Sequence, residues 1–203
     1  MVGKGEVCLQ VHAPYSSFGL YETAICGILA HQTGWATATR EIVQAAQRIP
    51  VICVGAHNVH PSVAAVMDYA AVIGGCASCS TVLGTRLAST SPIATVSGAL
   101  VQLMGNAVDA VAAFDKAVAP DVQRVAYVDP RKDVLEQVMQ LVGSLKGRLD
   151  AIRLSRMPGG MPIDADTIKK VRAQLDAASA NNIAIVLSGH LSPDRVKTLV
   201  DEN

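Results

Sequence analysis

Short apolar segments at residues 51–55, 93–96, 124–128, 151–154 and 183–187 alternate with helical stretches at 62–72, 81–88, 98–117, 134–145, 164–178 and 192–200. This alternation constrains the chain more than any other feature. An apolar run too short for a helix, then a helix, then another such run, builds parallel strands joined by helical crossovers. Parallel strands covered on both faces need aliphatic side chains. The chain supplies them: half of its 203 residues are hydrophobic, 17% are charged and only 3% are aromatic. The expected class is α/β.

Ahead of this rhythm, residues 6–13 alternate, with Val7, Leu9 and Val11 on one face and Glu6, Gln10 and His12 on the other, which predicts a strand. Residues 20–47 follow as one long helix, with Ile25, Ile28, Leu29 and Ala36 near helical spacing and Trp35 as a packing residue. The formal net charge is zero and no basic stripe is present, which argues against a nucleic-acid partner. No apolar run approaches the roughly 18 residues of a membrane span, and the first residues lack the apolar stretch of a signal peptide. Five cysteines form no disulfide framework. The expected setting is the cytoplasm.

Polar residues follow several strand segments at once. They are His57 and Asn58 (with His60 beginning the next helix), Asp129-Pro130-Arg131, Ser155-Arg156 and Ser188-Gly189-His190. In a parallel barrel such residues converge on one rim, where chemistry sits. His57, Asn58 and His60 are ligand or acid–base candidates, or a turn and a helix start. Asp129 suits a ribose hydroxyl or a metal-bound diphosphate, or a helix cap. Ser188-Gly189 suits a phosphate, or is a plain connection. Cys76 and Cys79 form a CxxC, but no second pair completes a zinc site, so no metal ligands are assigned. Residues 157–162 read as a loop over the rim, a candidate lid.

Several of these pieces, in this order, resemble the nicotinate phosphoribosyltransferase family, especially its short archaeal and bacterial members. The stretch from Phe18 to Thr23 with Gly27-Ile28-Leu29-Ala30 and Ala36-Thr37-Ala38 is similar to the family's YET…LG.LA…AT.A helix. Val54 to Pro61 is similar to its FGARR.HP motif, and the segment from Tyr69 to Cys76 to its AA.IGG. Val128-Asp129, Ile152-Arg153-Leu154 and Ser188-Gly189 align with its later strands.

The resemblance implies an irregular, incomplete α/β barrel of the phosphoribosyltransferase type over residues 50–203. Residues 1–49 would then be a short strand–helix extension, the remnant of a small β-domain. It implies NAD salvage, in which nicotinate and phosphoribosyl diphosphate give nicotinate mononucleotide, with Mg²⁺ and ATP as cofactors and a homo-oligomeric assembly. Carried over by residue, Asp129 is the catalytic candidate, and His57, Asn58, His60, Arg153, Ser155, Ser188 and Gly189 are the substrate-binding ones.

The chain also departs from the pattern. His57 and Asn58 stand at two basic positions, Ala77 and Ser155 at two acidic ones, Pro130 replaces a Thr, and His190 replaces a Gly. The stretch from Ala94 to Gly98 lacks the His that takes a phosphoryl group. An Arg gives a carboxylate or phosphate two parallel charged hydrogen bonds, which a His cannot match. The expectation is a related protein of impaired activity acting on nicotinate or another base. The alternative is a non-catalytic relative that binds a nucleotide or a partner subunit.

Overall fold

The computed structural model describes residues 3–93, 95–145, 147–156 and 163–202. The chain enters through a short helix α1 (Tyr15–Phe18), a 3-10 turn (Gly19–Tyr21) and the long α2 (Glu22–Ala46). Then come β1 (Ile52–Cys53), α3 (Pro61–Ile73), β2 (Ser78–Cys79), α4 (Val82–Leu87), α5 (Gly98–Met104) and α6 (Ala107–Ala117). The rest is strictly alternating: β3 (Val125–Val128), α7 (Val134–Leu145), β4 (Ala151–Ser155), α8 (Ala165–Ala177), β5 (Ala184–Ser188) and α9 (Pro193–Glu202).

Local chemistry sets the helix starts. The Thr81 hydroxyl accepts the Gly84 N–H at 3.1 Å, and the Asp164 carboxylate accepts the Thr167 N–H at 2.8 Å. Each satisfies a donor that a first helical turn leaves orphaned.

All strand pairing is parallel. β3, β4 and β5 form one sheet in that order, with Val128 beside Leu154 and Leu154 beside Leu187. β1 and β2 form a second, with Cys53 beside Cys79. The segment after α4 bridges them: the Ser78 hydroxyl donates to the Ser91 carbonyl, and the Val96 N–H donates to the Val125 carbonyl at 3.0 Å. α2 packs against both α3 and α9, so the last helix returns to the first long one. The result is an open α/β barrel.

Strand periodicity divides the larger sheet into two chemical faces. Ala126, Val128, Ile152 and Leu154 are fully buried and pack with Val138 and Leu141 of α7 and Val171 and Leu175 of α8. The alternate residues, Tyr127, Arg153, Ser155 and Ser188, are only half-buried. The helix-covered face holds the fold together, and the other face, apolar at Val125, Ala151 and Val186, turns polar toward the carboxyl ends of the strands.

The structure corrects several expectations. Residues 6–13 form no strand: alternation needs a partner to pair with, none is present among the described residues, and Val7 is 81% exposed. In the segment expected at 93–96, Val96 donates its N–H to the Val125 carbonyl, and no strand is found among the described residues there. The helix expected at 98–117 is two helices. Gly105 turns left-handed (φ 82°), and the Asn106 side chain caps α6 by accepting the Asp109 N–H at 2.8 Å. β2 was not anticipated as a strand. The candidate lid at 157–162 lies outside the described residues.

A buried charge network anchors the far end of β3, away from the polar strand ends. The Arg124 guanidinium donates to Asp115 at 2.9 Å and to the carbonyls of Ala119, Pro120 and Val122, and Arg148 also pairs with Asp115. Removing one partner of a buried pair strands the other charge, at a cost of about 3–5 kcal/mol. Asp115→Ala is expected to lower unfolding free energy by roughly that amount in a urea titration. A loss below about 1 kcal/mol would show that Arg124 does not depend on Asp115.

Candidate functional site

The register of β3, β4 and β5 decides which side chains meet. Ser155 stands beside Ser188, and Tyr127 beside Arg153 beside Val186. Asp129 directly follows Val128 at the level of Ser155. One row at the carboxyl edge of the sheet therefore holds Asp129, Ser155 and Ser188, and the row two residues back holds Tyr127 and Arg153. Two-residue periodicity puts both rows on the same, polar face.

Arg153 is the cation of this face. Its guanidinium carbon lies 5.1 Å from the centre of the Tyr127 ring, and Nη2 reaches the Val96 carbonyl at 3.4 Å. Its Nε–H is buried and has no hydrogen-bond partner among the described residues. Burial pulls the Arg153 pKa down from its ordinary value, but a guanidinium remains charged throughout the physiological range. A buried, charged donor without an acceptor is a costly arrangement that an anion would relieve.

Asp129 is fixed on every side. Its N–H donates to Gln137 Oε1 at 3.0 Å and its carbonyl accepts from Gln137 Nε2 at 2.9 Å. Its carboxylate takes the Arg131 Nε at 2.8 Å and Nη2 at 2.6 Å, plus the Arg131 N–H at 3.0 Å. The Arg131 side-chain hydrogen bonds, above all, hold the Asp129 carboxyl below the usual carboxylate range, against the upward pull of burial. The cap of α7 is Asp133, which accepts the Glu136 N–H at 2.8 Å.

At the end of β5 the chain turns through Gly189 (φ 91°) and His190 (φ 52°). Gly189 lies against the backbone of Arg156, where a Cβ would come within 3.4 Å of its nitrogen. The turn walls a small hollow with Arg156 and Arg195. Arg195 is committed structurally, donating Nη2–H to the Ile163 carbonyl at 2.6 Å.

His57 and Asn58 occupy an exposed 3-10 turn (Ala56–Asn58) at the end of β1, on the other sheet. Their side chains make no hydrogen bond among those described. His60 is the N-cap of α3: its Nδ1 accepts the Ser62 N–H at 3.2 Å and lies 2.7 Å from the Ser62 hydroxyl. The structure thus gathers Asp129, Arg153, Ser155, Ser188 and Gly189 at one sheet edge and leaves His57, Asn58 and His60 at the other.

Cys53, Cys76 and Cys79 cluster under the smaller sheet beside Asp68. Burial, chiefly, pushes their thiols up to about 11, about 12 and about 11. Thiols this weakly acidic are poor nucleophiles and poor ligands at neutral pH.

Tyr127 and Gln137 belong to no motif. The signal for Tyr127 was its position two residues before Asp129 on a strand, which fixes a shared face. Gln137 offered no signal, because its partner is the backbone of Asp129.

With this geometry in place, the similarities are informative. Residues 35–203 match the family described as quinolinate phosphoribosyl transferase, C-terminal domain. A crystal structure of nicotinate-nucleotide pyrophosphorylase from Pyrococcus furiosus superimposes with a TM-score of 0.84 at 34% identity, over 92% of this chain and 48% of that one. Nicotinate phosphoribosyltransferase pncB2 of Mycobacterium tuberculosis is 28% identical over 197 residues, 96% of this chain and 42% of that protein. NadC from Streptococcus pyogenes shares the fold, with a TM-score of 0.68 at 18% identity. The chain spans under half the length of the first two relatives.

These matches correct the expectation of ATP. Phosphoribosyltransferases of the quinolinate type use Mg²⁺ but not ATP. The residues agree: the stretch that would carry a phosphoryl-accepting His contains none. Among the described residues no group of three or more His, Cys, Asp or Glu could hold a metal. Mg²⁺ commonly rides on substrate phosphates.

The Asp129 environment makes a prediction. Its depressed pKa stabilises the fold above the unfolded-state value of about 3.9, and that contribution fades as pH falls through the lower folded value. Arg131→Ala is expected to raise the Asp129 pKa toward the ordinary range, read by ¹³C-carboxyl NMR titration. An unchanged titration would mean that Arg131 does not hold the carboxylate in solution.

Proposed function

The chain belongs to the quinolinate phosphoribosyl transferase family, and from that premise we propose that it binds phosphoribosyl diphosphate and a pyridine carboxylate at the carboxyl edge of β3, β4 and β5. One observation carries this reading: the unpartnered, buried Nε–H of Arg153 beside the row of Asp129, Ser155 and Ser188. The edge presents a cation, two hydroxyls, a glycine turn and a carboxylate, which together suit an anionic sugar phosphate.

In this reading Arg153 meets an anionic group of the substrate, the carboxylate of the base. The Ser155 and Ser188 hydroxyls and the Gly189 N–H donate to phosphate oxygens. Asp129, the catalytic candidate, accepts from ribose hydroxyls once Arg131, whose side chain is 47% exposed, swings aside or shares its acceptors. His57 and Asn58 approach from the β1 end. In the transfer itself, the ring nitrogen of the base forms the new bond to the ribose anomeric carbon as the bond to diphosphate breaks, so that diphosphate leaves. The base is a pyridine carboxylate, nicotinate by the name of the Mycobacterium tuberculosis relative and quinolinate by that of the family. Residues 50–203 carry the site, residues 1–49 are an extension, and the protein is a cytoplasmic homo-oligomer working in NAD salvage. Family membership supports this last set, together with the finding that no helix among the described residues is long and apolar enough to cross a membrane.

A second reading is favoured by the Asp129–Arg131 pair. A carboxylate already committed to a guanidinium suits a relative that binds the sugar phosphate without turnover, and His57 and Asn58, standing at two basic positions of the family pattern, agree with impaired activity.

Titration calorimetry with phosphoribosyl diphosphate in magnesium buffer, with and without nicotinate, tests binding. Micromolar affinity is expected for phosphoribosyl diphosphate, and Arg153→Ala should weaken the binding of nicotinate to that complex by about 10- to 150-fold, the worth of one charged hydrogen bond. No heat from the folded protein would end the proposal. A parallel assay for diphosphate release separates the enzyme from the binding relative.

A further inference from the structure

The unexplained member of the polar face is Tyr127. The ring packs against the edge of the hydrophobic core, but an aliphatic side chain would fill that place equally well, and only 3% of the chain is aromatic. Its ring is held between two elements. On one side is the start of α5, where a Cβ on Gly98 would come within 3.2 Å of the ring, so the glycine lets the ring lie close. On the other is the Arg153 guanidinium, its carbon over the ring at 5.1 Å from the centre.

Arg153 has four rotatable side-chain bonds and would sample many directions if unsupported. Here the guanidinium carbon sits over the ring and the Val96 carbonyl takes Nη2. What remains is Nε, buried and unpartnered among the described residues. A guanidinium is planar, so holding its carbon over the ring and one terminal nitrogen at a carbonyl narrows the directions open to its remaining donors.

We propose that Tyr127 is a positioning residue that clamps Arg153 so that its free Nε–H points to where the ligand's carboxylate lies, and that this clamp makes the site prefer a carboxylate-bearing base over its neutral amide. The proposal rests on the binding reading above and adds to it the source of base discrimination. Preorganisation is the physical basis: a donor already desolvated and oriented loses little on binding an anion, whereas a mobile one must be ordered first. A neutral amide gains less, because its carbonyl makes an ordinary hydrogen bond in place of a charged pair. A purely structural Tyr127, a strut between α5 and β4, would affect both ligands alike.

The experiment has two arms. In the first, ¹⁵N-arginine-labelled protein is observed without ligand, the Arg153 Nε–H signal being assigned through Arg153→Lys. A ring-current upfield shift and slow exchange are expected in the wild type and in Tyr127→Phe, and loss of both in Tyr127→Leu. An unshifted, fast-exchanging signal in the wild type overturns the clamp without any variant, so a poorly folding Tyr127→Leu leaves the test intact.

In the second arm, nicotinate and nicotinamide are titrated in the presence of phosphoribosyl diphosphate. Tyr127→Leu should lose about five- to thirtyfold in nicotinate affinity, the range of a cation–π contact, with less than about twofold change for nicotinamide. Tyr127→Phe should keep the wild-type ratio. Equal losses for both ligands, or none, overturn the discrimination. If the Arg153 signal is as expected but the wild type binds neither base nor phosphoribosyl diphosphate, the binding reading has failed, and the base preference with it, while the clamp itself stands.

Discussion

Everything at the candidate site depends on the in-register pairing of three short parallel strands. Val128, Leu154 and Leu187 lie side by side, and the helix-covered face of those strands is the main core of the molecule. A side-chain period of two then leaves no choice for the other face. A slip of one residue between β3 and β4 would bury Arg153 under α7 and α8 and turn Ile152 and Leu154 to the open side. Hydrophobic burial thus does more than hold the sheet together. It fixes which polar groups share a rim, and the same packing that stabilises the fold arrays Asp129, Ser155 and Ser188 in one row.

The two ends of β3 show buried charge handled in opposite ways. At the amino end Arg124 is saturated by a carboxylate and three carbonyls, and is part of the scaffold. At the carboxyl end Arg153, on the neighbouring strand, keeps one buried donor unpaired. A buried donor of this kind takes its acceptor from a water or from a ligand. Asp129 lies between these cases: its carboxylate is satisfied, but by a partly exposed residue of its own turn that can be displaced. This is why the site supports anion binding more directly than it supports catalysis.

Much of this was legible in the sequence. The spans of β3, β4 and β5 and of α3, α7, α8 and α9 follow from apolar runs and helical spacing, and the polar residues just beyond each strand marked the rim. What escaped detection depended on partners. Residues 6–13 alternate as a strand does, yet no edge among the described residues receives them. Gly105-Asn106 carried a visible break, a left-handed glycine followed by a cap, inside a stretch whose apolar content suggested one helix. His60 proved to cap α3, which its position before Pro61 allowed. Tyr127 was hidden because a tyrosine in a strand is ordinary. Only the register, which no single strand reveals, puts it against Arg153. The expectation of ATP came from resemblance to one branch of related transferases, and the domain match lies with the quinolinate type.

The central claim is that the open edge of β3, β4 and β5 is a sugar-phosphate site with Arg153 at the adjoining base position. A crystal structure of the protein soaked with phosphoribosyl diphosphate tests it most directly. The account predicts density at the ends of these strands, with phosphate oxygens at Ser188 and Gly189, the ribose near Asp129 and the Arg153 Nε–H facing the open base position. Ligand density confined to the β1 end around His57, or an edge still empty at saturating ligand, would contradict it.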